Sequence, residues 1–292
     1  MNKVDLYEQR IHNIFPELSI EKLILHDEGA NNYIVEVNDE LIFRFPKNDY
    51  AVQKLNKEVI ILKLIKDYIS LNTPKVFYEE RELIGYFMMF GVPLRKEFLM
   101  DDSQIRHRVA EQLATFLKQL HSIPLGKILE FGIPNSEVPN KYEDWVNLYH
   151  DLQNGILPQL PSHTQEWAKK HFETFLADKN NFAYEPKLIH GDLGFYHILF
   201  DKHKNCLSGI IDFGTAGLGD PAMDIAVLIY NYGEDFVTSF EPIYPEINSY
   251  LPRAKFYVEA LELQCVLSKA QGKDTTWFLC NLSNSKNIKY YD

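Results

Sequence analysis

The feature that most constrains the fold is a pair of short apolar segments, each carrying an aspartate, in the second half of the chain. The first reads LIHGDLGFYHILF over residues 188–200 and contains Asp192, with His197 five positions further on. The second reads GIIDFG over residues 209–214 and contains Asp212, twenty positions after Asp192. Short apolar runs bounded by glycine predict β-strands. The sequence therefore predicts ionisable side chains at the ends of nearby strands.

Composition restricts the class of protein. With 292 residues, 46% of them hydrophobic, the chain can bury a large core and is expected to divide into two lobes. A formal net charge of −11 argues against a nucleic-acid partner, which needs a basic face, and is compatible with a cationic small molecule. The three cysteines lack CxxC spacing, so they indicate reduced thiols and support neither a disulfide framework nor a zinc site.

The location of the protein is predicted from two further observations. The N-terminal segment MNKVDLYEQRIHNIF has no apolar core of the kind that a signal peptide needs. No segment approaches the ~20 consecutive apolar residues of a membrane span. We therefore expect a cytoplasmic protein, without a membrane partner and monomeric.

Residues 1–90 are predicted to form an N-terminal lobe, an antiparallel sheet with one helix. Residues 33–38 and 40–46 alternate apolar and polar around a turn, which predicts a hairpin, and residues 51–69 carry a helical apolar stripe. Two more short strands follow, and the GVP segment at residues 91–93 interrupts the pattern. The boundary between the lobes is expected there.

Residues 91–292 are predicted to form a larger, mainly helical C-terminal lobe. A helix is expected over residues 103–123, where the capping-type residue Ser103 precedes a strong apolar stripe, and another over residues 253–271. The two aspartate segments supply short strands among these helices. A strand-rich lobe followed by a helical lobe gives an α+β, two-lobed fold.

The aspartate segments combine with charged residues upstream. Arg44 lies in the predicted strand IFRFP, and Glu58 lies in the helix that follows. Phosphoryl transfer in a kinase-type site needs a carboxylate that accepts the proton of the substrate hydroxyl and ligands for Mg²⁺ on nearby strand ends. It also needs a strand cation on the phosphates, oriented by a helix acid. The order and separation of these parts are more specific than any lone motif.

Three segments of the C-terminal half, HGDL, GIIDFG and GLGDPAMDIA, are similar to signatures of the aminoglycoside phosphotransferase family, which has a protein-kinase-like fold. The N-terminal segments HDEGANNYIVEVNDELIFRFPKND and KEVIILKLI resemble the aminoglycoside 2''-phosphotransferases, as does FLKQLHSIP. The resemblance covers the whole chain. It implies a kinase that moves the γ-phosphate of ATP or GTP to a hydroxyl of an aminoglycoside, with the 2''-hydroxyl favoured, and so gives antibiotic resistance.

The resemblance also implies roles for individual residues. Asp192 would be the catalytic base, and His197 and Asp212 would bind Mg²⁺. Arg44 would take the place of the phosphate-contacting lysine, with Glu58 as its partner.

The nucleotide is expected to lie between a loop and a hinge. Gly29 would sit in the loop over the phosphates, although a plain turn explains one glycine equally well. The hinge would lie at about residues 87–93, where the backbone at Phe87, Met89 and Phe90 would read the base. The register of that backbone does not follow from the sequence, so the choice between ATP and GTP stays open.

Two residues depart from the usual kinase pattern. Asparagine is usual at the position of His197, and its amide oxygen suits Mg²⁺ better than an imidazole does. Histidine there resembles the 2''-aminoglycoside and macrolide phosphotransferases. Arg44 replaces a lysine; a guanidinium is always charged and can bind phosphate bidentately. The alternatives are therefore a macrolide or other small-alcohol kinase, or a catalytically silent module that binds nucleotide.

The acceptor is expected to contact the C-terminal part of the chain. Glu259 and Glu262 lie three apart on the predicted last helix and share a face, which would bind a cationic antibiotic or would simply be solvated. Asp220 and Trp277 are further candidates. Asp220 precedes a proline and is equally consistent with a helix cap, and Trp277 with a core residue. Asp224 is expected to brace the catalytic loop.

Overall fold

The computed structural model describes residues 2–27, 29, 31–100, 102–139 and 141–272. The strands are β1 (Leu23–His26), β2 (Asn32–Val37), β3 (Leu41–Pro46), β4 (Val76–Glu80), β5 (Leu83–Phe87), β6 (Val92–Pro93), β7 (Lys187–Ile189), β8 (Ile198–Asp201), β9 (Cys206–Ile210) and β10 (Gly217–Gly219). The helices are α1 (Lys3–Ile14), α2 (Asp49–Ile65), α3 (Ser103–His121), α4 (Leu125–Glu130), α5 (Tyr142–Gly155), α6 (Ser162–Leu176), α7 (Ala222–Tyr232), α8 (Glu234–Thr238) and α9 (Ile247–Ala270). Across these described ranges, no helix is both long and apolar enough to cross a membrane.

The N-terminal part is a five-stranded antiparallel sheet in the order β1-β2-β3-β5-β4. Successive side chains of a strand point to opposite faces. Phe43 and Phe45 of β3 are buried on one face in a cluster with Tyr7 and Ile11 of α1. Arg44, between the two phenylalanines, therefore points to the opposite face, where α2 lies. This alternation gives the basic residue its place in the site.

The predicted hairpin connects β2 and β3 through the three residues Asn38, Asp39 and Glu40. Asn38 and Asp39 both have positive φ angles, 54° and 55°. These are the angles of the type I′ turn, whose twist matches that of the flanking strands, and asparagine and aspartate tolerate them better than most residues. The turn fixes the register that pairs Arg44 with Ile34.

The predicted lobe boundary, at about residues 87–93, includes the segment that joins β5 to β6. β6 pairs with β8, which in turn pairs with β9, so the chain leaves the first sheet and enters a second one there. The fold is thus an antiparallel sheet lobe followed by a mainly helical region with two small sheets, as the sequence predicts. One core cluster continues from Leu55 and Val59 of α2 to Phe213 beside the second aspartate.

Two helix starts differ from the predicted ones. The side chain that caps α3 is Asp102, which accepts hydrogen bonds from the N–H groups of Gln104 and Ile105, and Ser103 is the first helical residue. α9 begins at Ile247, six residues before the predicted start, and contains Pro252. The sequence pattern pointed to the later start because a proline lacks the N–H that an inner helical residue donates.

Candidate active site

The loop that carries Asp192 follows β7, and its backbone donates hydrogen bonds to Asp224 of α7. The fully buried carboxylate of Asp224 accepts the backbone N–H groups of His190 at 2.9 Å and of Gly191 at 2.8 Å. Gly191 has a φ of 77°, and a Cβ atom there would lie 3.0 Å from the Oγ atom of Ser136. Glycine suits both the angle and the space. The predicted bracing role of Asp224 is therefore visible in the geometry.

Asp224 is itself fixed by a buried histidine. The Nε2 atom of His121 in α3 lies 3.0 Å from Oδ2 of Asp224, and the hydroxyl of Tyr244 lies 2.7 Å from Nδ1 of His121. Burial alone would raise the pKa of Asp224, but the hydrogen bond and charge of His121 lower it below its usual value. The carboxylate thus stays ionised and accepts both backbone donors.

Asp192 projects from this loop into the cleft. Its side chain is 37% exposed, and its Oδ1 atom accepts a hydrogen bond of 2.7 Å from the hydroxyl of Tyr196. Its Oδ2 atom lies 3.7 Å from Nδ1 of His197, beyond hydrogen-bond distance, so this partly solvated oxygen can accept a proton.

His197 and Asp212 face each other beside Asp192. The Nε2 atom of His197 lies 3.6 Å from Oδ2 of Asp212, and its Nδ1 atom lies 2.8 Å from the backbone oxygen of Asp192. Asp212 has a φ of 63°, an uncommon angle for a residue other than glycine that often marks a functional site. The structure thus brings the three predicted residues of the two aspartate segments together.

Arg44 and Glu58 form a buried pair behind this group. The NH1 atom of Arg44 lies 2.7 Å from Oε2 of Glu58, and its NH2 atom lies 4.0 Å from Oδ2 of Asp212. Oε1 of Glu58 also accepts the backbone N–H of Phe213 at 3.3 Å. Glu58 therefore ties the arginine, helix α2 and the second aspartate segment into one unit.

Burial and charge act against each other in this unit. Burial raises the pKa of Glu58 to about 7 although Arg44 opposes the shift. Burial would lower the pKa of Arg44, but Glu58 and then Asp212 hold it above its ordinary value, so the guanidinium stays charged. Burial would raise the pKa of Asp212, as it does for Glu58, but the charge of Arg44 brings it below its usual range.

A cavity of about 810 Å³ is lined by the residues that are predicted to take part in phosphoryl transfer. The lining residues from the sequence prediction are Gly29, Arg44, Glu58, Asp192, His197, Asp212 and Glu262. The cavity also has a wall from α7 and α9 that includes the apolar side chains Met223, Val227, Val258, Leu261 and Cys265. Such a concave, partly apolar space with a few converging polar groups is typical of a small-molecule site.

Other predicted acceptor residues do not reach this cavity. Glu262 lines it, but Glu259 lies outside its lining and pairs with His171 of α6, with 2.8 Å between Oε2 and Nδ1. Asp220 is wrong as a substrate-binding residue because it is fully buried and bonded to Arg253 at 2.6 Å and to the hydroxyl of Tyr257 at 2.8 Å. Trp277 lies outside the described residues.

The predicted hinge residues lie at a second, smaller cavity of about 530 Å³. Phe87, Met89 and Phe90 line it, whereas none of them lines the cavity that contains Asp192. The N–H of Phe87 donates to the oxygen of Lys75 at 3.0 Å. The N–H of Phe87 is therefore engaged within the protein, and base recognition by this segment stays a prediction.

Sequence reasoning missed a charged group at the edge of the main cavity. Glu137, in the loop between α4 and α5, pairs with Lys54 at 3.3 Å and with Lys57 at 3.6 Å. The only sequence signal was the presence of two lysines, three apart, next to Glu58. Nothing in the sequence pointed to Glu137, which lies about 80 residues further along the chain.

Known proteins share this architecture. Residues 22–257 match the model of the phosphotransferase enzyme family. The structure is similar to the GDP complex of wild-type aminoglycoside 2'-phosphotransferase-IIIa, with a TM-score of 0.83 and 25% identity over 97% of each chain. It is also similar to the GDP and kanamycin complex of APH(2'')-IIIa, with a TM-score of 0.82 and 25% identity over 95% of this chain and 96% of that one.

A curated relative agrees with this family match. Viomycin phosphotransferase of Streptomyces vinaceus is 22% identical over 248 residues, which cover 81% of this chain and 83% of that protein. The family model spans most of the chain, including both aspartate segments, Arg44 and Glu58. The chain therefore belongs to the phosphotransferase enzyme family, as its sequence motifs predicted.

Proposed function

We propose that this protein transfers the γ-phosphoryl group of a nucleoside triphosphate to a hydroxyl of a small antibiotic. The observation that carries the proposal is the convergence of Asp192, His197 and Asp212 in one cavity with the Arg44–Glu58 pair behind them. These are the parts that a kinase-type phosphoryl transfer needs. Membership of the phosphotransferase enzyme family supports the same reaction.

Asp192 would act on the acceptor hydroxyl. One of its oxygens is held by Tyr196, and the side chain faces the cavity, so it can orient the hydroxyl and take its proton. The remaining work would be positioning and charge stabilisation, since this reaction asks little covalent chemistry of the protein.

His197 and Asp212 have a donor set that fits a divalent metal ion. A backbone oxygen only accepts hydrogen bonds, so Nδ1 of a neutral His197 carries the proton towards Asp192 and Nε2 presents a lone pair to Asp212. Magnesium is commonly held by one or two protein groups together with phosphates. It would neutralise charge on the transferred phosphoryl group.

Arg44 would bind the α- and β-phosphates of the donor. Glu58 fixes its NH1 atom, and the NH2 atom is directed towards the Asp212 side of the cavity. Gly29 lines the same cavity, which supports a loop over the phosphates. GDP in the similar structures supports a nucleotide donor, and either ATP or GTP satisfies these contacts.

The favoured acceptor is an aminoglycoside at its 2''-hydroxyl. The support comes from the similarity to an aminoglycoside phosphotransferase with bound kanamycin and from the carboxylate of Glu262. Glu262 lies on the cavity wall that α7 and α9 form, which we call the acceptor wall. Burial, followed by the charge of Glu259, raises the pKa of Glu262. An ammonium group of the acceptor would relieve that cost.

The apolar wall favours a second candidate acceptor. Met223, Val227 and Leu261 line the space next to Glu262, which is the one carboxylate that α7 and α9 contribute to the described lining. An aminoglycoside carries several ammonium groups, whereas a macrolide combines an apolar body with few charges. A macrolide or a related small alcohol is therefore the second candidate.

The test is a measurement of nucleoside diphosphate release with Mg²⁺, using ATP and GTP against kanamycin, viomycin and a macrolide. The Asp192→Asn variant is the matched control. We expect acceptor-dependent release by the wild type alone, and NMR of the product gives the phosphorylated hydroxyl. Nucleotide binding without transfer to any acceptor would instead show the silent nucleotide-binding module.

A further inference from the structure

Glu137 connects the C-terminal region to the first helix of the active site. It lies in the loop between α4 and α5, and its carboxylate contacts three side chains of α2. Oε2 accepts a hydrogen bond from the hydroxyl of Tyr50 and lies 3.3 Å from Nζ of Lys54, while Oε1 lies 3.6 Å from Nζ of Lys57. One carboxylate therefore meets three donors spread over two turns of the same helix.

These contacts are more sheltered than ordinary surface ion pairs. The side chains of Lys57 and Lys54 are 10% and 17% exposed, and that of Glu137 is 40% exposed. Burial would raise the pKa of Glu137, but the hydrogen bond from Tyr50 and the charge of Lys54 lower it. Exposed pairs contribute little, and partial burial reduces the screening by solvent.

The loop that carries Glu137 is fixed to the segment after Asp212. The N–H of Ser136 donates to the oxygen of Leu218 at 2.8 Å, and its hydroxyl donates to the oxygen of Thr215 at 2.7 Å. The N–H of Leu218 in turn donates to the oxygen of Pro134 at 3.0 Å. These hydrogen bonds couple the position of Glu137 to that of the segment after Asp212.

The other end of the connection is Glu58. Lys57 is its neighbour in sequence, and Lys54 lies one turn before it on the same face of α2. A helix moves largely as a rigid body, so a displacement of Lys54 and Lys57 also displaces Glu58. The 2.7 Å contact of Glu58 with Arg44 depends on that position.

We propose that Glu137 is a positioning residue that sets α2, and through Glu58 sets Arg44, against the nucleotide phosphates. The inference rests on the phosphotransferase site proposed above. In protein kinases the position of the corresponding helix is controlled by phosphorylation of a loop. Here the carboxylate of a glutamate supplies the anion, so the helix is held in place without modification.

Glu137 and Lys54 also line the main cavity, so direct contact with the acceptor is the competing explanation. Lys57 is absent from that lining, and Lys57→Met therefore breaks the connection without changing the acceptor wall. Glu137→Gln removes the anion. The triple variant Glu137→Lys, Lys54→Glu and Lys57→Glu exchanges the signs of the three charges. It therefore restores the attraction between the loop and α2. Lys63→Met is the matched control, because Lys63 lies on α2 and pairs with Glu79 on the surface of the same lobe.

The first readout is Mg²⁺-dependent nucleotide hydrolysis by water, with no antibiotic present. We expect Glu137→Gln and Lys57→Met to raise the KM for the nucleotide about tenfold. The triple variant should bring this KM back close to the wild-type value, and Lys63→Met should match the wild type. A triple variant as impaired as Glu137→Gln would overturn the inference. An effect of Glu137→Gln on acceptor affinity alone would overturn it too, by making Glu137 an acceptor group.

The second readout is amide hydrogen exchange of residues 49–65 in the free protein, with α9 as the check on folding. We expect faster exchange of α2 in Glu137→Gln and Lys57→Met, and unchanged exchange in α9. Unchanged exchange of α2 in both variants contradicts the inference. Because this measurement needs no activity, it still decides the role of Glu137 if the proposed phosphotransferase reaction fails.

Discussion

The Nε2 atom of His197 faces the Oδ2 atom of Asp212 at 3.6 Å. The opposite ring nitrogen lies 2.8 Å from a backbone oxygen, which can only accept a hydrogen bond, so a neutral ring presents its lone pair to the carboxylate. Two electron-rich atoms in this arrangement are favourable only with a cation or proton between them. This arrangement is the reason why we propose the pair as ligands of a metal ion.

The proposed metal role of His197 is tested by two substitutions. We expect His197→Asn to keep substantial activity, because an amide oxygen is a good ligand for Mg²⁺. His197→Ala removes the ligand, and we expect the Mg²⁺ concentration for half-maximal activity to rise by about tenfold or more. A titration of activity with Mg²⁺ measures both, and equal curves for wild type and alanine would place His197 outside the metal site.

Asp192→Asn tests the catalytic base. An asparagine cannot take the proton of the acceptor hydroxyl, so we expect kcat to fall by ~10²–10⁴ while nucleotide affinity is retained. Steady-state kinetics with a nucleotide-binding titration separates the two effects. Tyr196→Phe is the matched comparison, since it removes the hydroxyl that donates to Oδ1 and keeps the carboxylate of Asp192. Near-normal turnover in Asp192→Asn would exclude this aspartate as the base.

Asp212→Asn tests the second proposed metal ligand. The substitution removes a full negative charge beside the metal, and we expect nucleotide binding that depends on Mg²⁺ to weaken about tenfold or more. Binding measured without Mg²⁺ should change much less. Calorimetric titrations with and without the metal make the comparison, and the same loss in both would point to a structural role.

Glu262 and Glu259 provide a matched pair for the acceptor. Glu262 lines the cavity, and Glu259 pairs with His171 outside it. We expect Glu262→Gln to raise the acceptor KM by one to two decades, from a contact of ~1–3 kcal/mol with an ammonium group. Glu259→Gln should leave that KM almost unchanged. A larger effect at Glu259 would contradict this assignment of the acceptor wall.

The raised pKa of Glu58 predicts a pH dependence of stability. Its pKa is about 7 in the fold and 4.5 ordinarily, so between these values the folded state holds a proton that the unfolded state releases. The unfolding free energy should therefore fall as the pH rises from about 4.5 to 7, by at most about 3 kcal/mol. Glu58→Gln has no such titration. Urea unfolding at pH 5 and 8 should show the wild type losing stability relative to this variant, and a constant difference would contradict the shift.

The sequence predicts the parts of the site that depend on local structure. The turn at Asn38 and Asp39 fixes the hairpin register, and strand alternation sends Arg44 to the face opposite Phe43 and Phe45. His197 and Asp212 flank two short strands that are adjacent in the chain, and the pairing of β8 with β9 places Ile198 opposite Ile210. Because successive strands usually pair, the order of Asp192, His197 and Asp212 in the sequence predicted a shared site.

Only the tertiary structure decided which of several similar residues serve the cavity. Glu259 and Glu262 have equivalent sequence signals, yet the packing of α6 gives one of them a histidine partner and leaves the other in the cavity. Asp220 lies outside the cavity lining because it pairs with Arg253, 33 positions away in the sequence. Glu137 enters the site because its loop packs on the segment after Asp212. These outcomes depend on how elements distant in the chain pack, and no local periodicity or motif encodes the identity of a partner brought from so far away.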